Sequence, residues 1–376
     1  MLTRHLQANM ATAVNRCLPR YGDGSQAGRA VAASVHVVNP GQASNWGASL
    51  ADFSDYSFFH SAAWAKTLEG AYGYRPVYLT VEDGGIVRGV LPLMEVDSEL
   101  TGRRGIGLPF TDECGPLYDD CAWAYRMVQS AVALGKSRGW NFVEFRGGRE
   151  LFPSAPPAVS FYGHRLDLEA GEDALFARMD SSTRRAIRKA EKSGLTVTVS
   201  SGLDALKTFY SLHCKTRQKH GLPPQPFGFF SSIFRHILSR DLGMVVVAHW
   251  QDRPVAASVY FQWGAQAVYK FGASDDTFQQ FRGPSLVMWE AIKRLRRHGA
   301  RTLDLGRTSI DHEGLRRFKL HWGAREHKIE YVKYDLRRNR FVTDTDGATG
   351  WHNRVFRALP VGLSRVIGAA LYRHLA

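Results

Sequence analysis

Cysteine is scarce in this chain. Among 376 residues there are four, Cys17, Cys114, Cys121 and Cys214, and none belongs to a C-x-x-C pair. That usage excludes a disulfide scaffold and points to reduced thiols and a cytoplasmic setting. Long apolar runs are also missing: no stretch approaches the roughly 18 residues a spanning helix needs. Residues 1–18 are interrupted by Arg4, His5, Asn9, Asn15 and Arg16, so they lack the apolar centre of a secretory signal. No H-x-x-x-H, G-x-S-x-G, G-x-G-x-x-G or G-x-x-x-x-G-K-[ST] occurs. A zinc enzyme, a serine hydrolase, a classical dehydrogenase and a nucleotide P-loop are therefore disfavoured, and no metal or prosthetic group is expected. Acids are few at both ends: Asp23 alone precedes Asp52, and none follows Asp346.

What is present is ordinary globular chemistry with a basic excess. Lys and Arg number 49 against 35 Asp and Glu, a formal charge of +14. Such an excess suits an anionic partner: nucleic acid, a phosphorylated substrate or an acidic membrane surface. The apolar share of 44% supports sizeable cores. The length suggests two domains.

The element order repeats. After a poorly ordered segment over 1–50, with a short strand near Ala32–Val38, a helix is predicted over Phe58–Gly70, capped by Ser61. Strands at Pro76–Glu82 and Ile86–Met94 flank Asp83-Gly84-Gly85, a hairpin signal. A Gly/Pro-rich loop, a helix over Ala122–Arg138 and a strand over Trp140–Phe145 follow, and Pro153, Pro156 and Pro157 mark a boundary. Helices over Ser181–Lys192, Leu203–Lys219 and Pro284–His298 then alternate with a hairpin around Gln251-Asp252-Arg253 and strands at Leu195–Val199, Ala267–Phe271, Thr302–Leu305 and Ile329–Asp335. The reading is α/β (α+β): 51–157 as a first unit, 158–345 as a second copy, and 346–376 as a basic tail.

Three clusters could carry chemistry. In the helix at Ser181, Arg184, Arg188 and Lys192 fall at i, i+4 and i+8, with Arg185 and Lys189 beside them. Either this is a solvated basic face or a phosphate clamp, for which the planar fork of Arg is suited. Arg282-Gly283-Pro284-Ser285 opens a helix after the strand ending Tyr269-Lys270-Phe271-Gly272. Such an N-terminus offers free N–H groups and a favourable dipole to an anion, although ordinary capping explains it equally well. Asp304-Leu305-Gly306-Arg307-Thr308 ends a strand, and a loop rich in cations and aromatics follows, with Phe318, Lys319 and Trp322. Loops at strand ends are where sites concentrate. The tail carries Arg354, Arg357, Arg365 and Arg373 among Val355, Phe356, Leu359, Leu363, Val366, Ile367 and Leu371, with Pro360 splitting it into two short helices. It suits either a membrane surface or packing on the domain.

These stretches, in order, resemble the Fem-type (FemAB-like) transferases of the GNAT acyltransferase superfamily. The matching motifs are R-x-x-I-R-K-A-x-K-x-G-L at 184–195, Y-K-F-G-A-S at 269–274, G-P-S-L-x-x-W-E-A-I-K at 283–293, G-A-R-T-L-D-L-G-R-T at 299–308 and G-L-R-R-F-K-L-H-W-G-A at 314–324. P-V-Y-L-T-V-E-D-G-G-I-V-R-G-V-L-P-L at 76–93 adds the first unit. The tail is similar to that of members found with exopolysaccharide systems.

The resemblance implies two tandem GNAT-like domains, each a mixed, mostly antiparallel sheet flanked by helices, with a cleft between them. It implies transfer of an acyl or aminoacyl group to an amine of a glycan or peptidoglycan precursor. Phe318 and Lys319 would lie at the transfer centre, Asp112 would be the base with Tyr269 as a further candidate, and Arg184 or Arg188 would hold acceptor phosphates. Arg282, Gly283, Ser285, Asp304, Arg307 and Trp322 complete the expected binding set. The donor would be acyl-CoA, favoured because no coiled-coil arm is present, or aminoacyl-tRNA. The partners would be an anionic, amine-bearing envelope precursor and the inner face of the membrane. Two other classes fit the charge: a nucleic-acid-binding protein without catalysis, whose affinity would fall steeply with salt, and a non-catalytic membrane scaffold.

Overall fold

The computed structural model describes residues 34–343 and 359–375. Two sheets form the frame. A small antiparallel sheet runs 35–38, 78–83, 86–91 and 117–118 in spatial order. The expected hairpin is there, with Gly84 and Gly85 both at positive φ. The second sheet has twelve strands and is continuous through both halves of the chain. From one edge it runs 196–200, 243–250, 253–263, 266–274, 302–309, 159–167, 325–335, 142–146, 104–106, 94–96 and 75–76, with 340–342 paired beside 325–335.

The join is made by two strands. Val159–Asp167 pairs with Thr302–Ser309 on one side and Arg325–Asp335 on the other. Arg325–Asp335 then carries the ladder onto Phe142–Arg146 of the first half. Sequence reading placed no strand at 159–167, because its polar Ser160, Tyr162, His164 and Arg165 break the apolar run. The segment 313–324, read as a loop, contains the helix Glu313–Leu320 capped by the His312 side chain. A further helix, Phe227–His236, was also not foreseen.

Most of the predicted helices lie where propensity and capping place them. Asp180 caps the basic helix Ser181–Lys192 through the Ser182 amide, and Ser61 caps Ala62–Tyr72 through the Trp64 amide. The expected short strand is present at Val35–Val38, whereas the expectation of poor order over 1–50 needs correction around Trp46 and Leu50. Val35–Val38 pairs with Tyr78–Val81, and Trp46 and Leu50 are buried. Their apolar side chains find a core that composition alone did not reveal. Residues 1–33, and the first part of the tail with Arg354, Val355, Phe356 and Arg357, lie outside the described residues.

The largest core belongs to both halves. Trp64 and Tyr72 of the first unit pack with Phe229 and Phe261 of the second, at centroid distances of 5.3–6.2 Å. Ser232 donates to the Thr67 carbonyl at 3.0 Å across the same interface. Aromatic pairs of this kind add to the apolar burial that holds the units together.

Candidate active site

The parallel pair in the second half creates an opening. Gln266–Val268 pairs with Thr302–Asp304, and there the ladder stops, although both strands continue to Ser274 and Ser309. At the same level a register shift on the far side of the first strand leaves Lys270 opposite no partner, between the pairs Tyr260–Tyr269 and Val259–Phe271. Bulges of this sort re-aim side chains.

Here Lys270 is aimed at the first half. Its ammonium donates to the Phe110 carbonyl at 2.5 Å and lies 3.9 Å from Asp112, over the rings of Phe59 and Trp64. Burial lowers its pKa, and the Asp112 charge partly restores it. Tyr269 packs on the Tyr260 ring and its hydroxyl covers Gly272. Burial raises its pKa. It is thus held within the second-half core, and its neighbour Lys270 takes the place beside Asp112.

The second edge of the opening is held by Lys319. The residue is 3% exposed, and its ammonium donates to the Gly306 and Arg307 carbonyls at 2.7 and 2.9 Å. These are backbone acceptors of the strand beyond the point where the ladder ends. Burial brings the Lys319 pKa down to about 8, opposed by Asp112 and Asp304. Gly306 is at φ +74°, and a Cβ there would stand 2.9 Å from an Asp112 carboxylate oxygen. Arg307 lies 3.6 Å from Asp112, donates to the Tyr331 hydroxyl and covers the Phe161 ring. Tyr331 in turn donates to the Asp112 carbonyl at 2.6 Å. Asp112, Lys270, Arg307 and Lys319 are therefore brought together from four separated segments.

Two hollows open near this centre. One, of about 320 Å³, lies between the halves and is lined by Glu113, Arg165, Asp304 and His327, with Ser57, His60 and Glu150 of the first unit. Asp304 accepts from the Gly306 amide, and its carboxyl is raised above its ordinary value, chiefly by burial. His327 is bonded to Glu113 at 2.9 Å, which raises its pKa. His60 is buried, neutral at pH 7 with a pKa near 4, and bonded to the Gly115 carbonyl at 2.9 Å.

The other hollow, of about 570 Å³, is a basic groove in the second half. Arg185 and Lys189 of the basic helix line one side. Arg282, Ser285 and Phe318 line the rest, with Asp275 and His321 among them. Arg282 is at φ +59° and caps the helix Gly283–Arg297, whose Pro284 carries no amide hydrogen and whose Ser285 amide donates to the Arg282 carbonyl at 3.0 Å.

The expected residues divide accordingly. Arg282, Ser285 and Phe318 meet in the groove, and Gly283 stands buried beside them. Asp304 is in the interdomain hollow. Arg184 and Arg188 do not line the groove; Arg188 lies over the Phe176 ring at 5.4 Å, and the neighbouring face, Arg185 and Lys189, takes the place expected of them. Helical spacing identified the stripes without saying which one faces the groove. Trp322 is 1% exposed, packs against Phe318 and lines neither of these two hollows. Sequence reading did not single out Lys270, Glu113 or His327 as site residues. Lys270 stood in a quoted motif, whereas Glu113 and His327 meet only across the join. Among the described residues no group of three or more His, Cys, Asp or Glu is arranged to hold a metal ion.

The parting strand pair, the helix between its strands and the basic groove all lie within one continuous stretch of the second half. Residues 177–328 match the family described as "Acetyltransferase (GNAT) domain". The chain as a whole shares its fold with solved structures. It superposes on the crystal structure of FemX with a TM-score of 0.63 at 15% identity, covering 79% of this chain and 96% of that one. A tandem GNAT protein from the clavulanic acid biosynthesis pathway gives 0.53 at 10% identity, over 81% and 98%. In sequence, the "Lipid II:glycine glycyltransferase" of Staphylococcus aureus is 32% identical over 93 residues. That stretch is 23% of this chain and 22% of the relative, so the chain spans about a fifth of its length in alignment.

Proposed function

We propose that the protein is an N-acyltransferase. In this reading the basic groove holds an acyl-CoA donor and the interdomain hollow receives an amine of an anionic envelope precursor. The parting of strands 266–274 and 302–309 beside the groove carries the reading, because it leaves a slot between the two strands where a thioester can lie. Arg185, Lys189 and Arg282, with the positive end of the helix dipole behind them, would hold the donor's phosphates. The acidic lining of the hollow, Glu113 and Asp304, suits a cationic amine. Its likeness to a lipid II glycyltransferase supports a peptidoglycan precursor as the acceptor class.

The chemistry follows from these places. The amine nitrogen attacks the thioester carbonyl carbon, the carbon–sulfur bond breaks, and the thiolate leaves. Asp304, raised by burial, is placed to take the amine proton. Asp112 collects Lys270 and Arg307 at the centre and fixes their positions. Lys319 braces the strand edge, and its charge lies where negative charge develops on the carbonyl oxygen. Close placement of two substrates supplies much of the remaining acceleration.

The test is product formation followed by mass spectrometry with acetyl-CoA, longer acyl-CoAs and amine-bearing precursor fragments. Arg185→Ala with Lys189→Ala should raise the KM for the donor about tenfold or more while sparing the fold. An unchanged donor KM overturns the groove assignment. The second reading is an aminoacyl-tRNA donor, favoured by the +14 charge and the exposed cations of the basic helix. Turnover with charged tRNA and none with any CoA thioester would establish it instead.

A further inference from the structure

The C-terminal helix Val361–Leu371 is packed by its small face. Ser364, Gly368 and Tyr372 fall four apart and are buried. A Cβ at Gly368 would stand 2.2 Å from the Pro224 carbonyl oxygen, so the helix lies directly on that backbone. Tyr372 donates to the Pro223 carbonyl at 3.1 Å and accepts from Arg217 at 2.7 Å. The end of the tail is bonded to the first half: Tyr74 donates to the Tyr372 and Arg373 carbonyls, and Arg104 and Thr101 donate to the His374 carbonyl.

This packing fixes the opposite face outward. Leu363 is 48% exposed, Val366 67% and Leu375 59%. Leu363, Val366 and Ala370 form one stripe, and rotating the helix to bury it would require a larger residue where Gly368 touches backbone. A further exposed apolar side chain on the first half, Leu100 at 69%, lies in the loop that bonds the tail through Ser98 and His374. Arg373 is exposed at the end of the stripe, whereas Arg365 turns back over the Tyr210 ring at 5.3 Å. The acids beside it are Glu99 and Asp97, and Asp97 is paired with Arg103 at 2.8 Å.

We propose that this face seats the protein flat on an anionic lipid bilayer. An aliphatic stripe with exposed Arg373 at its end, in a chain with no acid after Asp346, matches an acyl boundary below negative headgroups. A second copy of the chain is the poorer occupant, because a two-fold contact would set arginine against arginine. Eleven residues make a helix of about 16 Å, half of what a span requires, so it lies on the surface. The inference is independent of the acyl-transfer reading.

The test is sedimentation of the full chain with vesicles of phosphatidylcholine alone or with 30% phosphatidylglycerol (a chosen composition, about the range used for anionic surfaces). Wild type should bind the anionic vesicles and release in high salt. Leu363→Asp with Val366→Asp, both exposed, should keep the melting temperature and bind about tenfold or more weakly. Undiminished binding by that variant would overturn the proposal and move the contact to another basic surface. Binding to neither vesicle would also overturn it. A wild-type dimer that the double variant dissolves would assign the face to self-association.

Discussion

At the scale of single residues the site depends on a few uncommon placements. Gly306 is the smallest residue that leaves Asp112 its position, and its left-handed backbone suits glycine. Gly306→Ala should lower turnover about tenfold or more with little change in donor affinity; equal effects on both would mean general damage to the fold. Lys319 makes a pH prediction. Its folded pKa lies below its unfolded value, so the ammonium is lost on raising the pH through about 8. The rate should therefore fall above pH 8. In Lys319→Arg, whose charge persists, any remaining rate should show no such fall. A profile with the same alkaline limb in both proteins would take Lys319 out of that titration. At this scale the sequence was only partly legible. Arg282, Ser285 and Phe318 line one groove, and each could be singled out because helix starts and motif order are local. Lys270 needed the bulge opposite Tyr260, and Glu113 with His327 needed a contact across 214 positions, which no spacing rule reaches.

At the scale of elements, periodicity and caps were good guides where a helix has a polar and an apolar side. The basic helix and the hairpin at Gln251–Asp252 stand where they were expected, the latter with both residues at positive φ. Val159–Asp167 escaped because a strand covered on both edges need not alternate cleanly in apolar character. The tail shows the same limit. Its helix was legible, but its small inward face was not, since glycine and serine carry no apolar signal. Gly368→Leu should cost about 2–4 kcal/mol, read by urea unfolding, because it cannot be accommodated against Pro224. A change below about 0.5 kcal/mol would show that the helix is not held there. The ring of Tyr372 also packs on Phe110, whose carbonyl holds Lys270. Removing the residues from 359 onward should therefore lower turnover as well as stability.

For the whole molecule, one sheet and one aromatic core join two units whose repeated order was visible from sequence, while their fusion through 159–167 and 325–335 was not. Two buried histidines tie that shared core to pH. His60 and His213 both have pKa values near 4, lowered chiefly by burial. Between about pH 6.5 and 4 the unfolded chain binds protons that the folded chain refuses, so stability falls as pH drops through that window and levels off below it. At about 1.4 kcal/mol per pH unit, each contributes roughly 3 kcal/mol to that loss. His213→Phe should flatten the acid limb of a melting-temperature profile, and an unaltered limb would remove His213 from it. The central claim is that the groove between the basic helix and Arg282 holds a CoA thioester. Native mass spectrometry with acetyl-CoA and longer acyl-CoAs tests it most directly. The account predicts a one-to-one complex in the wild type that disappears in the Arg185→Ala, Lys189→Ala double variant. A complex of equal abundance in both proteins, or none with any CoA thioester, would contradict it.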